Sequence, residues 1–253
     1  MKVVDIKVAL QKAGILPGDL LMVHGDAAVA AQLVEVKSEN RLAALFNEII
    51  NYLGEEGTLI VPTFSYSFTR KEVFDVCNTK SSVGAFSEYF RCLSGVVRSL
   101  HPIFSIAAYG KKKNIFKDCN INDCFGKNTC FDLLYKLDAK LMNLGCNFNV
   151  TFAHYVEQEL KVKYRYFKSF EGFIKVNSKI FFSKTKYFVG NKKIHYTLNL
   201  DGLKKVLLEE KKIRIVAFDR LASYTVSCKD FFHNAELIIK DNEYGLIEEN
   251  KFE

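Results

Sequence analysis

Apolar positions along the first 145 residues follow two alternating patterns, one with helical spacing and one in short unbroken runs. Leu42, Leu45 and Ile49 belong to a set that recurs at i, i+3, i+4, i+7, i+8 and i+11, which predicts one buried face of a helix. Short apolar runs predict buried strands, as at residues 58–61, a run that is followed by Pro62. The predicted helices cover about residues 4–15, 42–53, 84–93, 128–137, 203–210 and 228–239, and the predicted strands cover 20–23, 58–61, 104–108, 141–144 and 213–218.

This alternation predicts an α/β fold, namely a three-layer α/β/α sandwich with a central, largely parallel (mixed) sheet. Between residues 164 and 196 the pattern changes, because aromatic and β-branched residues alternate there with Lys and Ser, which favours an antiparallel hairpin region. We find no linker or repeat, so we predict a single domain over residues 1–253 with the hairpin region as an insertion. In such sheets ligands bind beyond the carboxyl ends of the strands. The loops expected there begin at His24, Pro62, Tyr109 and Gly145.

The composition indicates a globular protein but does not indicate its function. The chain has 49% hydrophobic and 26% charged residues and a formal charge of +7, which is ordinary for a globular protein. The sequence contains no apolar run of the roughly 18–20 residues that span a bilayer, so we expect a cytoplasmic protein with no membrane partner. The seven cysteines form no CxxC pair, so we expect reduced thiols and no metal.

The most informative segment for chemistry is 151–157 (TFAHYVE), just after the predicted strand end at Gly145. On a helix, Thr151, His154 and Glu157 share one face, and His154 and Glu157 are direct neighbours. A carboxylate that orients an imidazole makes a general base suited to neutral pH. Such pairs also occur on ordinary helix surfaces, and the segment alone does not exclude that interpretation.

Three loops are further candidates for ligand binding. Arg98 and Ser99 form an Arg-Ser pair of the kind that grips a phosphate, the guanidinium in a bidentate manner and the hydroxyl as a second donor. Residues 24–27 and 63–65 follow predicted strands and bring hydroxyl groups or backbone donors to the same edge of the sheet. Simple turn chemistry explains each loop equally well when it is taken alone.

Taken in order, these segments resemble the aminoglycoside 3-N-acetyltransferase family and its relatives that act on other amino sugars. The resemblance spans roughly residues 5–172, and each block alone is weak while the ordered set is specific. The matching blocks are 21–26 (LMVHGD), 57–64 (GTLIVPTF), 84–91 (GAFSEYFR), 95–102 (GVVRSLHP), 105–110 (SIAAYG) and Leu144-Gly145 followed by 151–157 (TFAHYVE).

The resemblance implies an acetyl-CoA-dependent N-acetyltransferase in which a primary amine attacks the thioester directly, with no covalent enzyme intermediate. It implies that His154 is the general base, that Glu157 orients it or binds the acceptor, and that Thr151 polarises the thioester carbonyl. Coenzyme A would be bound by two further sets of residues. Arg98 and Ser99 would hold its phosphates, and His24, Gly25, Asp26, Ala27, Thr63, Phe64 and Ser65 would line its pantetheine arm.

The expected acceptor follows from charge and from a departure from the family pattern. Many relatives have His-Ser-Ser where this chain has His24-Gly25-Asp26, and the segment after Glu157 is basic. Aminoglycosides are polycations, which calls for an acidic cleft. We therefore predict a small-molecule acceptor with negative charge, such as a nucleotide-linked amino sugar used in surface glycan biosynthesis. Aminoglycoside acetylation that confers antibiotic resistance is the alternative.

Alternatives of other classes are weaker. The basic composition and the aromatic residues of 164–196 suit a non-catalytic protein that binds single-stranded nucleic acid. The charge is mild and no RNA-binding signature occurs, so we expect no nucleic-acid partner. A relative that has lost catalysis is disfavoured because His154 and Glu157 are both present. Assembly into a homo-oligomer stays open.

Overall fold

The protein, for which we obtained a computed structural model, is described over residues 5–25, 27–31, 40–191, 194–218 and 221–249. Its helices are α1 (Ile6–Lys12), α2 (Ala27–Ala31), α3 (Arg41–Leu53), α4 (Ala85–Arg91), α5 (Cys130–Lys136), α6 (Ala153–Leu160), α7 (Asp201–Glu209) and α8 (Cys228–Asp241). Its strands are β1 (Leu20–Gly25), β2 (Thr58–Pro62), β3 (Phe74–Asp75), β4 (Val97–Arg98), β5 (Ile106–Gly110), β6 (Lys140–Leu144), β7 (Arg165–Val176), β8 (Lys179–Gly190), β9 (Tyr196–Leu198), β10 (Arg214–Phe218), β11 (Leu221–Ser227) and β12 (Ile247–Glu249).

A seven-stranded mixed sheet with the order β10-β11-β6-β1-β2-β5-β4 divides the molecule into layers. The three central strands run parallel, because β1 pairs in parallel with both β2 and β6. The outer pairings, β11 with β6 and β5 with β2, are antiparallel. The carboxyl ends of the three parallel strands therefore meet at one edge of the sheet, where ligand sites of such folds occur.

Alternation along the central strands gives each face of the sheet its own core. Met22, Ile60 and Leu141 face a cluster that also holds buried side chains of α5, α6 and α8. The intervening residues, such as Leu21 and Leu59, face a second cluster formed with α1, α3 and α4. This is the period-two pattern of strands buried on both sides. The predicted α/β sandwich with a mixed sheet is confirmed.

The segment that departs from the alternating pattern is an antiparallel hairpin of β7 and β8, paired from Arg165↔Gly190 to Val176↔Lys179. Strand β3 pairs with β7 in parallel and completes a small three-stranded sheet. Hydrogen bonds between the Lys186 backbone and residues 122 and 124 fasten β8 to the loop before α5. The predicted hairpin region is therefore present, and its base lies next to α6. The division into domains stays a prediction.

Two sequence predictions about the sheet need correction. The strand before Tyr109 is antiparallel to β2, so Gly110 pairs with Thr58 at the amino end of β2. The loop after Tyr109 consequently lies at the edge opposite to the ends of the parallel strands. Strand β11 pairs with β6 along the sheet, and the periodicity analysis did not predict it. Within the described ranges, no helix is long and apolar enough to cross a membrane.

Candidate active site

Helix α6 carries a hydrogen-bonded histidine–carboxylate dyad at the end of the parallel strands. His154 and Glu157 lie one turn apart, and the distance from Nδ1 of His154 to Oε2 of Glu157 is 2.6 Å. The carboxylate is completely buried, while the imidazole keeps 20% of its surface exposed. The predicted pairing of these side chains on one helix face is therefore what the structure contains.

Two residues from the start of the hairpin complete the surroundings of the dyad. The hydroxyl of Tyr164 donates to Oε1 of Glu157 at 2.9 Å. Nε of Arg165 lies 2.9 Å from Oε2 of Glu157, and its Nη2 lies 3.0 Å from Nδ1 of His154. Burial would raise the pKa of Glu157, but His154, Arg165 and the Tyr164 hydroxyl together hold it below its usual range. The carboxylate thus stays ionised inside the protein.

These partners decide which nitrogen of His154 carries the proton. A carboxylate only accepts hydrogen bonds and a guanidinium only donates them, so Nδ1 cannot satisfy Glu157 and Arg165 at once. The shorter contact is to Glu157, which makes Nδ1 the donor in the neutral ring. The lone pair is then on Nε2, which has no hydrogen-bond partner among the described residues. That nitrogen is free to take a proton from a bound molecule.

A cavity of about 430 Å³ opens beside the start of α6. Thr151 lies in its wall, and the Thr151 carbonyl accepts a hydrogen bond from the amide of His154 at 3.0 Å. His154 and Glu157 themselves do not line the cavity, and Thr151 is the lining residue nearest to them in sequence. No charged side chain lines it among the residues that the structure describes. The lining residues are His24, Gly25, Pro62, Phe64, Tyr66, Val83, Gly84, Ala85, Ser87, Cys146 and Thr151.

Three of the residues predicted for the pantetheine arm, His24, Gly25 and Phe64, line this cavity. Burial lowers the pKa of His24 to about 4, so the ring is neutral at physiological pH. In the part of the chain that is described, neither ring nitrogen of His24 has a hydrogen-bond partner. Asp26 lies outside the described residues. Ala27 begins α2 directly after the strand, and its side chain also lies outside the description.

The structure does not fit the role predicted for Arg98. Its side chain is buried, and Nη1 donates to the carbonyls of Val76 and Thr79 at 3.1 and 2.6 Å. Nη2 donates to the Thr63 carbonyl at 2.7 Å, and Nε donates to Oγ of Ser105 at 3.2 Å. Four of the five guanidinium N–H donors are thus used within the protein. Arg98 thus links three segments of the chain by hydrogen bonds, and one guanidinium N–H donor remains for a phosphate.

The other hydroxyl residues predicted to contact coenzyme A are also turned into the protein. Oγ of Ser99 accepts from the amide of Ile106 at 3.0 Å, and the residue is fully buried. Thr63 donates to the Ser105 carbonyl at 3.1 Å, and Ser65 donates to the Pro102 carbonyl at 3.2 Å. None of the three lines the cavity. In this structure the three hydroxyls make contacts that shape the loops, and their contacts with the cofactor stay a prediction.

Comparison of the sequence with known protein families gives one match that covers most of the chain. A sequence model described as aminoglycoside 3-N-acetyltransferase matches residues 22–240, most of the chain. The chain belongs to the aminoglycoside 3-N-acetyltransferase family. The resemblance predicted from the ordered sequence blocks is confirmed. Family membership makes the protein an N-acetyltransferase that takes its acyl group from acetyl-CoA.

Several solved structures share the fold of this chain at low sequence identity. The apoenzyme of aminoglycoside acetyltransferase AAC(3)-IVa has a TM-score of 0.75 at 19% identity, covering 95% of this chain and 89% of that one. YokD from Bacillus subtilis has a TM-score of 0.74 at 20% identity, with 94% and 98% covered. The binary complex of AAC-IIIb with CoASH has a TM-score of 0.76 at 18% identity, with 93% and 95% covered.

Several residues of this acetyltransferase site were not predicted from the sequence. Tyr164 and Arg165 reach the dyad because the chain reverses after α6, where Lys161 has a positive φ of 54°. Tyr66, whose φ is 56°, and Cys146 line the cavity. A Tyr-Arg pair shortly after a His-x-x-Glu helix is a signal that could have been weighed. The left-handed backbone of Tyr66 has no counterpart in the sequence pattern.

A metal centre finds no support in the residues described. Within those ranges no three His, Cys, Asp or Glu side chains are grouped so as to hold an ion. His101, which belongs to the matched block 95–102, is buried, and its Nδ1 accepts hydrogen bonds from the amides of Ile103 and Phe104 at 3.2 and 2.9 Å. This histidine therefore shapes the loop before β5.

Proposed function

We propose that this enzyme transfers the acetyl group of acetyl-CoA to a primary amine of an aminoglycoside, with His154 as general base. The observation that carries the proposal is the 2.6 Å contact between His154 Nδ1 and the buried Glu157, which leaves Nε2 free. An aminoglycoside amine is protonated for much of the time near neutral pH and becomes a nucleophile only after it loses a proton.

In the proposed reaction His154 Nε2 accepts the proton of the ammonium while Nδ1–H stays bonded to Glu157. The amine nitrogen forms a bond to the thioester carbonyl carbon, the carbon–sulfur bond breaks, and the electron pair leaves on sulfur as coenzyme A thiolate. The proton held by His154 passes to that thiolate, and the second proton that the nitrogen loses as the amide forms goes to solvent. The ammonium and acetyl-CoA thus give the amide, coenzyme A thiol and one proton. Glu157 stabilises the imidazolium that exists between these two events, as a buried carboxylate does in other histidine dyads.

The cavity suits the uncharged part of the cosubstrate. Its described walls are apolar or neutral and include Pro62, Phe64, Tyr66 and Thr151. The pantetheine arm is a neutral chain, and a site with no charged lining residue binds it without leaving a charge desolvated. Thr151, two residues before α6, lines this cavity, and in the proposed reaction its hydroxyl donates to the carbonyl oxygen as that oxygen becomes negative.

The relatives favour aminoglycosides as acceptors over the nucleotide-linked amino sugar predicted from charge. Mutant AAC(3)-IVa was solved with a gentamicin and with apramycin, and AAC-VIa was solved with sisomicin. We therefore place the antibiotic alternative first. The family model points in the same direction.

One observation keeps an acceptor with negative charge as a second candidate. Arg165 lies at the dyad, where it is ion-paired with Glu157 at 2.9 Å, and Lys186 lies on the paired strand β8. Lys186 forms an ion pair with Asp123 at 3.1 Å, which offsets part of this positive charge. A polycation gains from an acidic cleft, whereas a nucleotide diphosphate gains from cations of this kind.

A thiol-release assay with acetyl-CoA over both classes of amine tests the proposal. We expect gentamicin, apramycin and sisomicin to be acetylated with a higher kcat/KM than uridine-diphosphate-linked amino sugars. His154→Ala should lower kcat at least ~10²-fold, because general-base catalysis typically contributes that much. His233→Ala, which changes an exposed histidine on α8, is the matched control and should leave kcat unchanged.

Each outcome of this assay has a clear consequence. A higher kcat/KM with the nucleotide-linked amines would replace the first acceptor class by the second and keep the mechanism. A fall of less than about threefold in His154→Ala would remove the general-base assignment. Absence of thiol release with every amine would contradict the proposed function as a whole.

A further inference from the structure

The outer half of the β7–β8 hairpin exposes a cluster of large apolar side chains that the catalytic site does not use. Phe173, Ile180 and Phe182 are 49%, 60% and 58% exposed. Phe173 and Phe182 are directly paired across the strands, and Ile180 lies two residues from Phe182 on the same face. We call these three residues the hairpin patch. Most large apolar side chains in the molecule are buried, so this concentration on one element needs an explanation.

The patch lies at the turn end of the hairpin, and the base end is covered only in part, because Tyr166 and Phe167 there are 45% and 48% exposed. Near the base, Phe188 is only 5% exposed, and Lys186 forms an ion pair with Asp123. Towards the turn at residues 177–178 the neighbouring face is also partly open, because Phe181 is 39% exposed. Apolar side chains are therefore presented on both faces of the ribbon close to its end. A partner with a flat surface would cover only one face of the hairpin. A medium into which the turn end inserts would cover both faces.

Lysines border the patch. Lys179 and Lys184 are exposed on β8, and neither forms a salt bridge within the described ranges. Lys175 is paired with Asp75 at 2.9 Å, and Glu171 is the acidic residue of the hairpin strands, opposite Lys184. On the face of the patch, Lys184 lies opposite Glu171, so the excess of positive charge comes from Lys179, which lies on the other face beside the turn. Apolar side chains within a border of lysines are typical of segments that enter the headgroup region of anionic membranes.

Other occupants fit this surface less well. Two strands over about five residues present roughly 200 Å² of flat area, far below the roughly 800 Å² per partner of a stable protein interface. In a second copy, the lysines of β8 would face the same lysines, and edge lysines oppose strand pairing. The Phe173 and Phe182 rings meet edge to face, with centroids 5.7 Å apart, which leaves less open ring surface for stacking nucleobases.

We propose that the hairpin patch binds peripherally to a membrane surface that contains anionic lipids. Phe173, Ile180 and Phe182 insert between the headgroups, and Lys179 and Lys184 lie against the lipid phosphates. The sequence predicted no membrane partner, because it has no apolar run long enough to span a bilayer. Alternation in the sequence shows where apolar residues lie, but not that the turn end of this hairpin is left uncovered. Binding of this kind is reversible and depends on both the apolar and the charged contributions.

The test is co-sedimentation of the full chain with vesicles of phosphatidylcholine alone or of phosphatidylcholine mixed with phosphatidylglycerol. We expect binding to the mixed vesicles at low salt, release at high salt, and weak binding to the neutral vesicles. Replacing Ile180 and Phe182 together by Ser should weaken binding on the order of tenfold or more, because both lose inserted apolar area. The double change Lys179→Glu and Lys184→Glu should weaken it by a similar factor.

Matched substitutions elsewhere on the surface distinguish binding through the hairpin patch from non-specific binding to vesicles. Leu237→Ser removes a side chain that is 50% exposed on α8, and Lys205→Glu reverses an exposed lysine on α7. Both should bind vesicles as the unchanged protein does. All variants should keep the melting temperature and the acetyltransferase turnover, because none of these residues touches the cavity or the dyad.

Three results would overturn the proposal. The first is failure of the unchanged protein to bind anionic vesicles at low salt. The second is a dimer in solution that Phe182→Ser dissociates, which would give the surface to a second copy. The third is tighter, hairpin-dependent binding to single-stranded DNA than to vesicles. Because turnover is measured separately, failure of this proposal and failure of the proposed function are distinguishable.

Discussion

At the scale of single residues, Glu157 is the group on which the proposed base depends. It is fully buried, and its two oxygens contact His154, Arg165 and Tyr164. A buried ion pair contributes little net stability when both charges must be desolvated, but removing one partner is costly. The arrangement is therefore better explained by orientation of the imidazole than by stabilisation of the fold.

Glu157→Gln should lower kcat about 10²-fold or more while KM for acetyl-CoA changes little. Glutamine keeps the size of the side chain but loses the charge that stabilises the imidazolium and fixes its tautomer. Steady-state kinetics with near-saturating amine measure this split. Tyr164→Phe, which removes the 2.9 Å hydrogen bond to the other oxygen, is the matched comparison and should cost roughly tenfold or less. Equal losses in the two variants would contradict the special role of the charge.

At the scale of elements, sequence patterns predicted the parts of the site that are local and missed those that are assembled. The i, i+3 spacing of His154 and Glu157 fixes their contact once α6 forms, and the ends of β1 and β2 follow from their apolar runs. Arg165 comes to the dyad from another strand, and Arg98 meets Val76 and Thr79 across a loop. Such contacts depend on strand direction and turns, which hydrophobic periodicity does not specify.

The role of Arg98 shows this limit most clearly and leads to a prediction. Its hydrogen bonds join the carbonyl of Thr63, next to the cavity residue Phe64, to the loop of Val76 and Thr79. Burial lowers the pKa of the guanidinium to about 10, so the group stays charged at neutral pH. Arg98→Lys keeps the charge but cannot make four directed bonds, and it should destabilise the fold by about 2–4 kcal/mol.

Kinetics with a shortened acyl donor separate a loop clamp from a phosphate ligand. If Arg98 only shapes the loop, Arg98→Lys should raise KM by the same factor for acetyl-CoA and for acetyl-pantetheine, which has no phosphate. Lys113→Ala, which removes a cation at the opposite edge of the sheet, serves as the control. A rise in KM confined to acetyl-CoA would restore the phosphate contact that the sequence suggested.

At the scale of the whole molecule, two neutral histidines next to the central sheet, the half-buried His24 and the buried His101, couple folding to pH. Burial lowers the pKa of His24 and of His101 to about 4, against 6.5 for an ordinary histidine. For His101 the nearby Asp123 opposes this shift only in part. Between pH 6.5 and pH 4 these histidines are therefore protonated in the unfolded chain but neutral in the folded protein. Stability from these groups is fully present above pH 6.5 and is lost as the pH falls towards 4.

His101 is the sharper test of this coupling, because its Nδ1 accepts two backbone amides and its Nε2 lies 3.3 Å from the Thr185 hydroxyl. Protonating Nδ1 would break both amide contacts, which supports the low pKa. The contribution of His101 to the loss of folding stability in acid is about 3 kcal/mol between pH 6.5 and pH 4.

His101→Asn, whose side-chain oxygen can still accept hydrogen bonds from the amides, should therefore be less stable at pH 7 but show a shallower decline in stability towards pH 4. Urea unfolding of both proteins across this range measures the difference, and parallel stability curves would mean that His101 is protonated equally in the folded and unfolded states. Because His101 lies outside the cavity and the dyad, the same variant should retain the pH dependence of acetyl transfer, which separates the histidines that hold this fold from the one proposed to act on the substrate.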